Sequence, residues 1–214
     1  MRLRKVKNAY DKLLAGDKYF IPNPSDYKGK WISVFNNNNP IHIEIGCGKG
    51  QFILELAKRN SNINYIAIEK YDSVLLRALE KVIDEDVSNL KLLMIDANKI
   101  NEYFSSNEVN RIYLNFSDPW PKNAHAKRRL TAASFLAQYE DILDNSGEIH
   151  QKTDNRFLFE SSLESFNENG WNLKNISLDL HKDNEKYPDN IMTEFEEKWS
   201  KLGPIYRLEA YKKK

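Results

Sequence analysis

The chain has 214 residues, with 32 Lys and Arg against 31 Asp and Glu, and the formal net charge of +1 argues against a protein that coats nucleic acid by bulk charge. A single cysteine, Cys47, excludes an intramolecular disulfide, and without Cys/His pairs of the zinc type no metal site is expected. No apolar run approaches the ~18 residues of a membrane span, and none follows the basic start MRLRKVKNAYDKLLAG, so a protein of a reducing compartment without signal peptide or membrane segment is expected.

Along the chain, Pro22, Pro24 and Gly29 punctuate an irregular start, and Asn36–Asn39 before Pro40 reads as a loop. A regular alternation follows. Ile41–Ile45 is a short apolar run ending in glycines, and Gln51–Arg59 has helical periodicity. Asn64–Ile68 is a strand ending at Glu69, Ser73–Ile83 a helix, and Leu90–Ile95 a strand ending at Asp96. Arg111–Phe116 is a strand before Asp118, Thr131–Leu143 a helix, Gly147–Lys152 a strand and Phe157–Asn169 a helix closed by Gly170. Such alternation predicts an α/β fold with a mostly parallel sheet. Trp171–Leu180 and Ile205–Tyr211 then read as two strands without a standard crossover, an antiparallel pair at one sheet edge. Between them a predicted helix, Ile191–Lys201, spaces Met192, Phe195 and Trp199 on one face. The expected organisation is a basic N-terminal extension, 1–39, and one domain, 40–214, with an insertion at about 181–204.

The charge is unevenly placed. Residues 1–12 and 122–129 each carry a net +4, the chain closes on three lysines, and residues 179–197 carry a net −5. In IHIEIGCGKGQF (41–52) a strand runs through Gly46, Gly48 and Gly50 into a helix, which lets the backbone approach a ligand closely. A dinucleotide fingerprint would place its third glycine at Gln51, and Glu44 would repel a diphosphate. An acid there suits a cationic group such as an amino-acid ammonium. Glu69 follows the last glycine by 19 residues, where an acid accepts from a ribose. Asp96 is placed to accept from an exocyclic amine, and Asp118 makes a fourth strand-end acid. Ribose, adenine and ammonium together describe S-adenosylmethionine better than a nicotinamide cofactor. In NFSDPWPKNAHAKRR (115–129), two prolines stiffen a loop around Trp120, and the cationic run after it suits a substrate with phosphates. In HQKTDN (150–155), Thr153 and Asp154 follow the fifth strand and are expected to face the same crevice, and in NIMTEFEEKW (190–199) Thr193, Glu194 and Glu196 begin the helix of the insertion.

At these motifs the sequence resembles the bacterial tRNA (guanine-N7-)-methyltransferases, over roughly residues 40–210. The resemblance implies a Rossmann-like class I methyltransferase fold with helices on both faces of the sheet. It implies methyl transfer from S-adenosylmethionine to nitrogen 7 of a guanine at position 46 of the tRNA variable loop. Carried over by position, Glu44, Gly46, Gly48, Gly50, Glu69, Asp96 and Asp118 are expected to bind the cofactor, with Asp118 also the catalytic residue. Lys122, Asp154, Thr193, Glu194, Phe195 and Glu196 are expected to contact the guanine. Ala124, His125, Ala126, Lys127, Arg128 and Arg129 are expected to contact RNA. A cytoplasmic monomer or homodimer follows as the expected state. A methyltransferase of another RNA or amine target, and a non-catalytic RNA-binding protein on the same fold, stay open as alternatives.

Overall fold

The computed structural model describes residues 5–212, so Arg2, Arg4, Lys213 and Lys214 of the basic ends lie outside the described residues. The elements in chain order are α1 (Ala9–Leu14), α2 (Trp31–Phe35), β1 (Ile41–Ile45), α3 (Gln51–Arg59), β2 (Asn64–Glu69), α4 (Asp72–Glu85) and β3 (Leu90–Met94). They continue with β4 (Val109–Asn115), α5 (Ala133–Ile142), β5 (Leu143–Thr153), α6 (Arg156–Glu168), β6 (Trp171–Ser177), α7 (Glu194–Trp199) and β7 (Tyr206–Lys212).

The sheet order is β3-β2-β1-β4-β5-β7-β6. The first five strands in this row are parallel, and β7 runs antiparallel to both β5 and β6. Every residue of β1 and β2 is buried, as expected of central parallel strands covered on both faces. One apolar cluster packs α5 and α6 against the sheet, through Phe135, Leu136, Tyr139, Phe159 and Phe166. A second packs α1, α3 and α4, through Leu13, Ile53, Ala57, Leu75 and Leu79.

The segment before residue 40 joins both clusters. Trp31 is fully buried, stacks on Phe104 and donates its indole N–H to the Tyr103 carbonyl at 2.9 Å. Tyr19 and Ile21 exchange main-chain hydrogen bonds with Leu92 at the outer edge of β3, where Phe20 forms an isolated bridge.

Helix α7 is shorter than its periodicity predicts. The Thr193 hydroxyl accepts from the Glu196 N–H at 2.9 Å, which starts the helix at Glu194 and leaves Ile191 and Met192 outside it. The residue it buries is Glu196, while Phe195 and Met192 face solvent at 41% and 39% exposure.

Candidate active site

Two cavities open at the C-terminal ends of the strands and share Gly46. The larger, about 540 Å³, is walled by Glu69, Asp96 and Asp118, with Ile68, Ile95, Leu130 and Phe135 as its apolar lining. The smaller, about 260 Å³, is walled by Glu44, the glycine loop, Asn115, Phe116 and Thr193–Phe195. The backbone dictates the loop between them. Gly46 and Gly50 hold φ of 78° and 76°, a region where a side chain is strained. A Cβ on Gly50 would also lie 2.8 Å from the Ala78 Cβ, so α3 and α4 meet this closely only with glycine there.

Glu44 is 2% exposed. One of its oxygens accepts from the Asn115 amide at 2.8 Å, and the other has no hydrogen-bond partner among the described residues. Burial pushes its carboxyl up to about 7, against the pull of Asn115 and the Lys152 charge. Glu69 accepts the N–H groups of Lys70 (2.8 Å) and Tyr71 (3.1 Å) on one oxygen and of Gly48 (3.2 Å) on the other. Burial raises its pKa and these three donors oppose the rise. At Asp96 burial also disfavours charge, but Lys70 at 2.7 Å and the Asn98 amides outweigh it and hold the carboxyl below its ordinary value. Asp118 is exposed on the wall of the larger cavity. The four acids read from the sequence therefore lie around two adjoining spaces.

The loop after β4 is held in an unusual shape. Phe116 and Trp120 both take left-handed backbone conformations, φ 51° and 40°, which cost free energy in residues with a Cβ. Arg129 holds the loop by donating to the Pro119 and Trp120 carbonyls at 3.1–3.3 Å, and its guanidinium lies 4.8 Å from the Phe157 ring centre. Arg128 lies 4.9 Å over the Trp120 ring, whose other neighbour is His125 at 5.6 Å. Of the segment expected to meet RNA, Arg129 is thus turned back onto the loop. Lys122, Ala124 and Lys127 stand exposed on and beside a 3₁₀ turn, Asn123–Arg128, while His125 and Ala126 are half-buried.

The remaining substrate residues divide. Thr193, Glu194 and Phe195 wall the smaller cavity, and Glu194 bridges Lys49 (3.1 Å) and Lys81 (2.5 Å). Asp154 is exposed in the turn between β5 and α6, and neither it nor Lys122 lines either cavity. Glu196, expected to contact the guanine, points the other way. Its carboxylate is fully buried and accepts from Lys152 (2.6 Å), the Asn190 amide (2.8 Å) and His181 (3.1 Å). Lys152 also donates to the Ile191 carbonyl at 2.7 Å and sits 4.8 Å from the Phe52 ring centre. Burial pulls the Lys152 ammonium down and Glu196 holds it up. Sequence reasoning singled out neither Lys152 nor Asn115, although a lysine inside a strand with buried neighbours is itself a signal that a charge partner waits nearby. Glu148, His150 and Glu209 also cluster, but Arg111, Lys174 and Arg207 pair with these acids and leave the group charge-compensated.

These spaces suit S-adenosylmethionine. The unpartnered buried oxygen of Glu44 would take the ammonium of its amino-acid arm. Glu69 would take the ribose hydroxyls, and the apolar end beside Asp96 the adenine.

Comparison with known proteins agrees. A family model, Methyltransf_4, described as "Putative methyltransferase", matches residues 38–208. The chain is 56% identical over 211 residues to the tRNA (guanine-N(7)-)-methyltransferase of Bacillus subtilis (strain 168), covering 98% of each chain. It is 53% identical to the protein of that name from Lachnoclostridium phytofermentans, over the whole of both chains. Among solved structures, the 16S rRNA methyltransferase KamB superposes with a TM-score of 0.64 at 11% identity, over 86% of this chain and 94% of that one. An antibiotic-related methyltransferase superposes with a TM-score of 0.61 at 17% identity, over 85% and 91%. At these identities the two structures speak to the fold alone.

Proposed function

From the premise that this chain belongs to the tRNA (guanine-N(7)-)-methyltransferase family, we propose the following reading of its site. The protein is an enzyme that transfers a methyl group from S-adenosylmethionine to nitrogen 7 of a guanine in tRNA. The observation that carries the reading is the pair of cavities meeting at Gly46, one faced by Glu44 and the other by Glu69, Asp96 and Asp118.

The cofactor supplies a methyl group on a sulfonium. Nitrogen 7 of guanine has a free lone pair and no proton, so the in-line displacement needs no general base. This chain's residues contribute alignment and exclusion of water. Glu44, Gly46, Gly48, Gly50, Glu69 and Asp96 hold the donor. Positive charge moves onto the purine as the methyl transfers, and Asp118 and Asp154 would stabilise it as carboxylates near the ring. Asp154 would also accept from the amino and imino hydrogens of guanine, a donor pair adenine lacks. Thr193, Glu194 and Phe195 bound the space for the base, and Lys122 and Asp154, which line neither cavity, would contact the guanine from outside them. Glu196 we read as the strut behind them.

The finer assignments form one picture. The target guanine lies in the variable loop, and segment 124–129 meets the tRNA backbone. The catalytic domain spans 40–214 with its insertion at 181–204, after the extension 1–39. The enzyme works in the cytoplasm, as monomer or homodimer. No helix among the described residues is long and apolar enough to cross a membrane.

The test is incubation of unmodified tRNA with enzyme and S-adenosylmethionine, followed by cleavage at the methylated base, since methylation at nitrogen 7 weakens the glycosidic bond. Cleavage at one variable-loop guanine is expected. Methyl incorporation without such cleavage would overturn the assignment to nitrogen 7.

A further inference from the structure

Met192, Phe195 and Trp199 share one face by spacing, and in the structure Phe195 and Met192 are exposed while Trp199 is half-buried. The Phe195 ring, 41% exposed, lies 4.9 Å from the Phe116 ring, centre to centre. The Trp199 ring lies 5.5 Å from the Phe195 ring at an interplanar angle of 28°. Phe116 meets Phe195 from a left-handed backbone conformation, one a phenylalanine adopts only at a cost. Phe116 and Phe195 both wall the smaller cavity. Three aromatic rings therefore lead without a break from the mouth of that cavity out along α7.

Two of the three acids of α7 are charge-compensated, and Glu197 keeps its charge. Glu194 is neutralised by Lys49 and Lys81, Glu196 by Lys152, and Glu197 accepts from the Gln51 amide at 2.6 Å. The Lys198 ammonium lies 5.1 Å from the Trp199 ring centre.

A guanine that reaches a pocket sunk between strand ends and α7 must leave its stack in the folded tRNA. Its neighbour in the chain then loses a stacking partner, and an aromatic surface continuous with the pocket can replace it. We propose that Phe116, Phe195 and Trp199 form a base-stacking surface, on which Trp199 carries the nucleotide adjoining the methylated guanine. This rests on the reading of the site as a tRNA guanine methyltransferase. Stacking is tolerant of base identity because every base has a π-face, so the surface supplies affinity and orientation rather than sequence choice.

The experiment compares the parent enzyme with Trp199→Ala, Trp199→Leu and Trp199→Phe in methyl-transfer kinetics on tRNA. S-adenosylmethionine affinity and thermal midpoint are measured alongside. Trp199→Ala is expected to raise KM for tRNA about tenfold, with kcat and cofactor affinity little changed. Trp199→Leu keeps apolar bulk without a π-face and should behave like Trp199→Ala, while Trp199→Phe recovers most of the loss. A tRNA lacking the base next to the target guanine should cost the parent enzyme a similar factor and cost Trp199→Leu nothing more. An unchanged KM in Trp199→Ala, full recovery by Trp199→Leu, or an equal abasic penalty in parent and variant would each overturn the stacking surface alone. A parent enzyme that leaves unmodified tRNA unmethylated would overturn the earlier reading and this one with it.

Discussion

On the side of Gly46 and Glu69, the pocket is shaped by main-chain hydrogen bonds at strand ends. On the side of α7, it is shaped by side-chain ion pairs, one of them buried. Glu69 takes three backbone N–H groups, and the loop N–H groups of Gly46 and Cys47 reach the Ile68 carbonyl at 2.8 and 3.0 Å. Thr193–Phe195 instead depend on side chains: Glu194 pairs with Lys49 and Lys81, and Lys152 ties Glu196, Asn190 and Ile191 to strand β5. The donor half is thus held by backbone, whereas the acceptor half is held by a few side-chain charge pairs.

Four measurements would break or sharpen the contrast. The largest effect is expected from Lys152→Met, which strands a carboxylate at a fully buried position and should cost about 3–5 kcal/mol in denaturant unfolding. The double variant Lys152→Met, Glu196→Leu should recover most of that, because an apolar pair carries no desolvation penalty. If the single variant loses less than about 1 kcal/mol, the α7 half does not depend on the pair.

The donor half offers the next largest effect, as a pH dependence. The Glu44 carboxyl titrates near 7 in the folded protein and near 4.5 as a free side chain. Between these values the folded state holds the proton that the unfolded state has lost. Stability from this group is therefore full below about pH 4.5 and is lost as pH rises through 7, by up to about 3 kcal/mol. Glu44→Gln should flatten this slope in ligand-free enzyme. The cofactor ammonium needs the ionised form, so S-adenosylmethionine affinity should fall as pH drops from 8 to 6, and Glu44→Gln should bind weakly at both. Identical pH profiles for parent and variant would detach Glu44 from the ammonium.

Gly50→Ala adds a contact with Ala78 to the strain of a positive φ, and should cost about 1–3 kcal/mol. Gly48→Ala meets nothing within 4 Å and should cost less, near 1 kcal/mol. Equal losses would mean that backbone strain, not the α3–α4 approach, sets the requirement. The smallest effect belongs to the exposed basic turn. Lys122→Gln with Lys127→Gln spares Arg129, which holds the Trp120 loop. It should leave unfolding unchanged and reduce the slope of log tRNA affinity against log salt by about 1.4–1.8. An unaltered slope would place the phosphate contacts elsewhere.

The donor half was legible in the sequence because its determinants are local. Glycines after an apolar strand, and acids at the ends of successive strands, keep their meaning wherever the sheet is drawn. The acceptor half depends on contacts between distant residues, and Lys152 and Glu196 stand 44 positions apart. Nothing local says that Glu196 points inward while Phe195 points outward. The Met192–Phe195–Trp199 period put three apolar residues on one face of a helix, but Thr193 caps the helix after Met192 and the buried lysine claims Glu196. The antiparallel edge was legible from the missing crossover. That β7 threads between β5 and β6 was not, since either late strand could have paired with β5.

The exchange of hydrogen bonds between Tyr19, Ile21 and Leu92 bears on solubility as much as on packing. A seven-stranded open sheet has two outer strands, each a template for pairing with another chain. At β6 the edge is interrupted by a register break between Lys174 and Ser177, with Asn175 in a left-handed conformation. At β3 the bonding groups of Leu92 are already occupied by the protein's own leading segment, which works as a stopper against self-association. Residues 19–21 thus close that edge of the sheet to pairing with another strand.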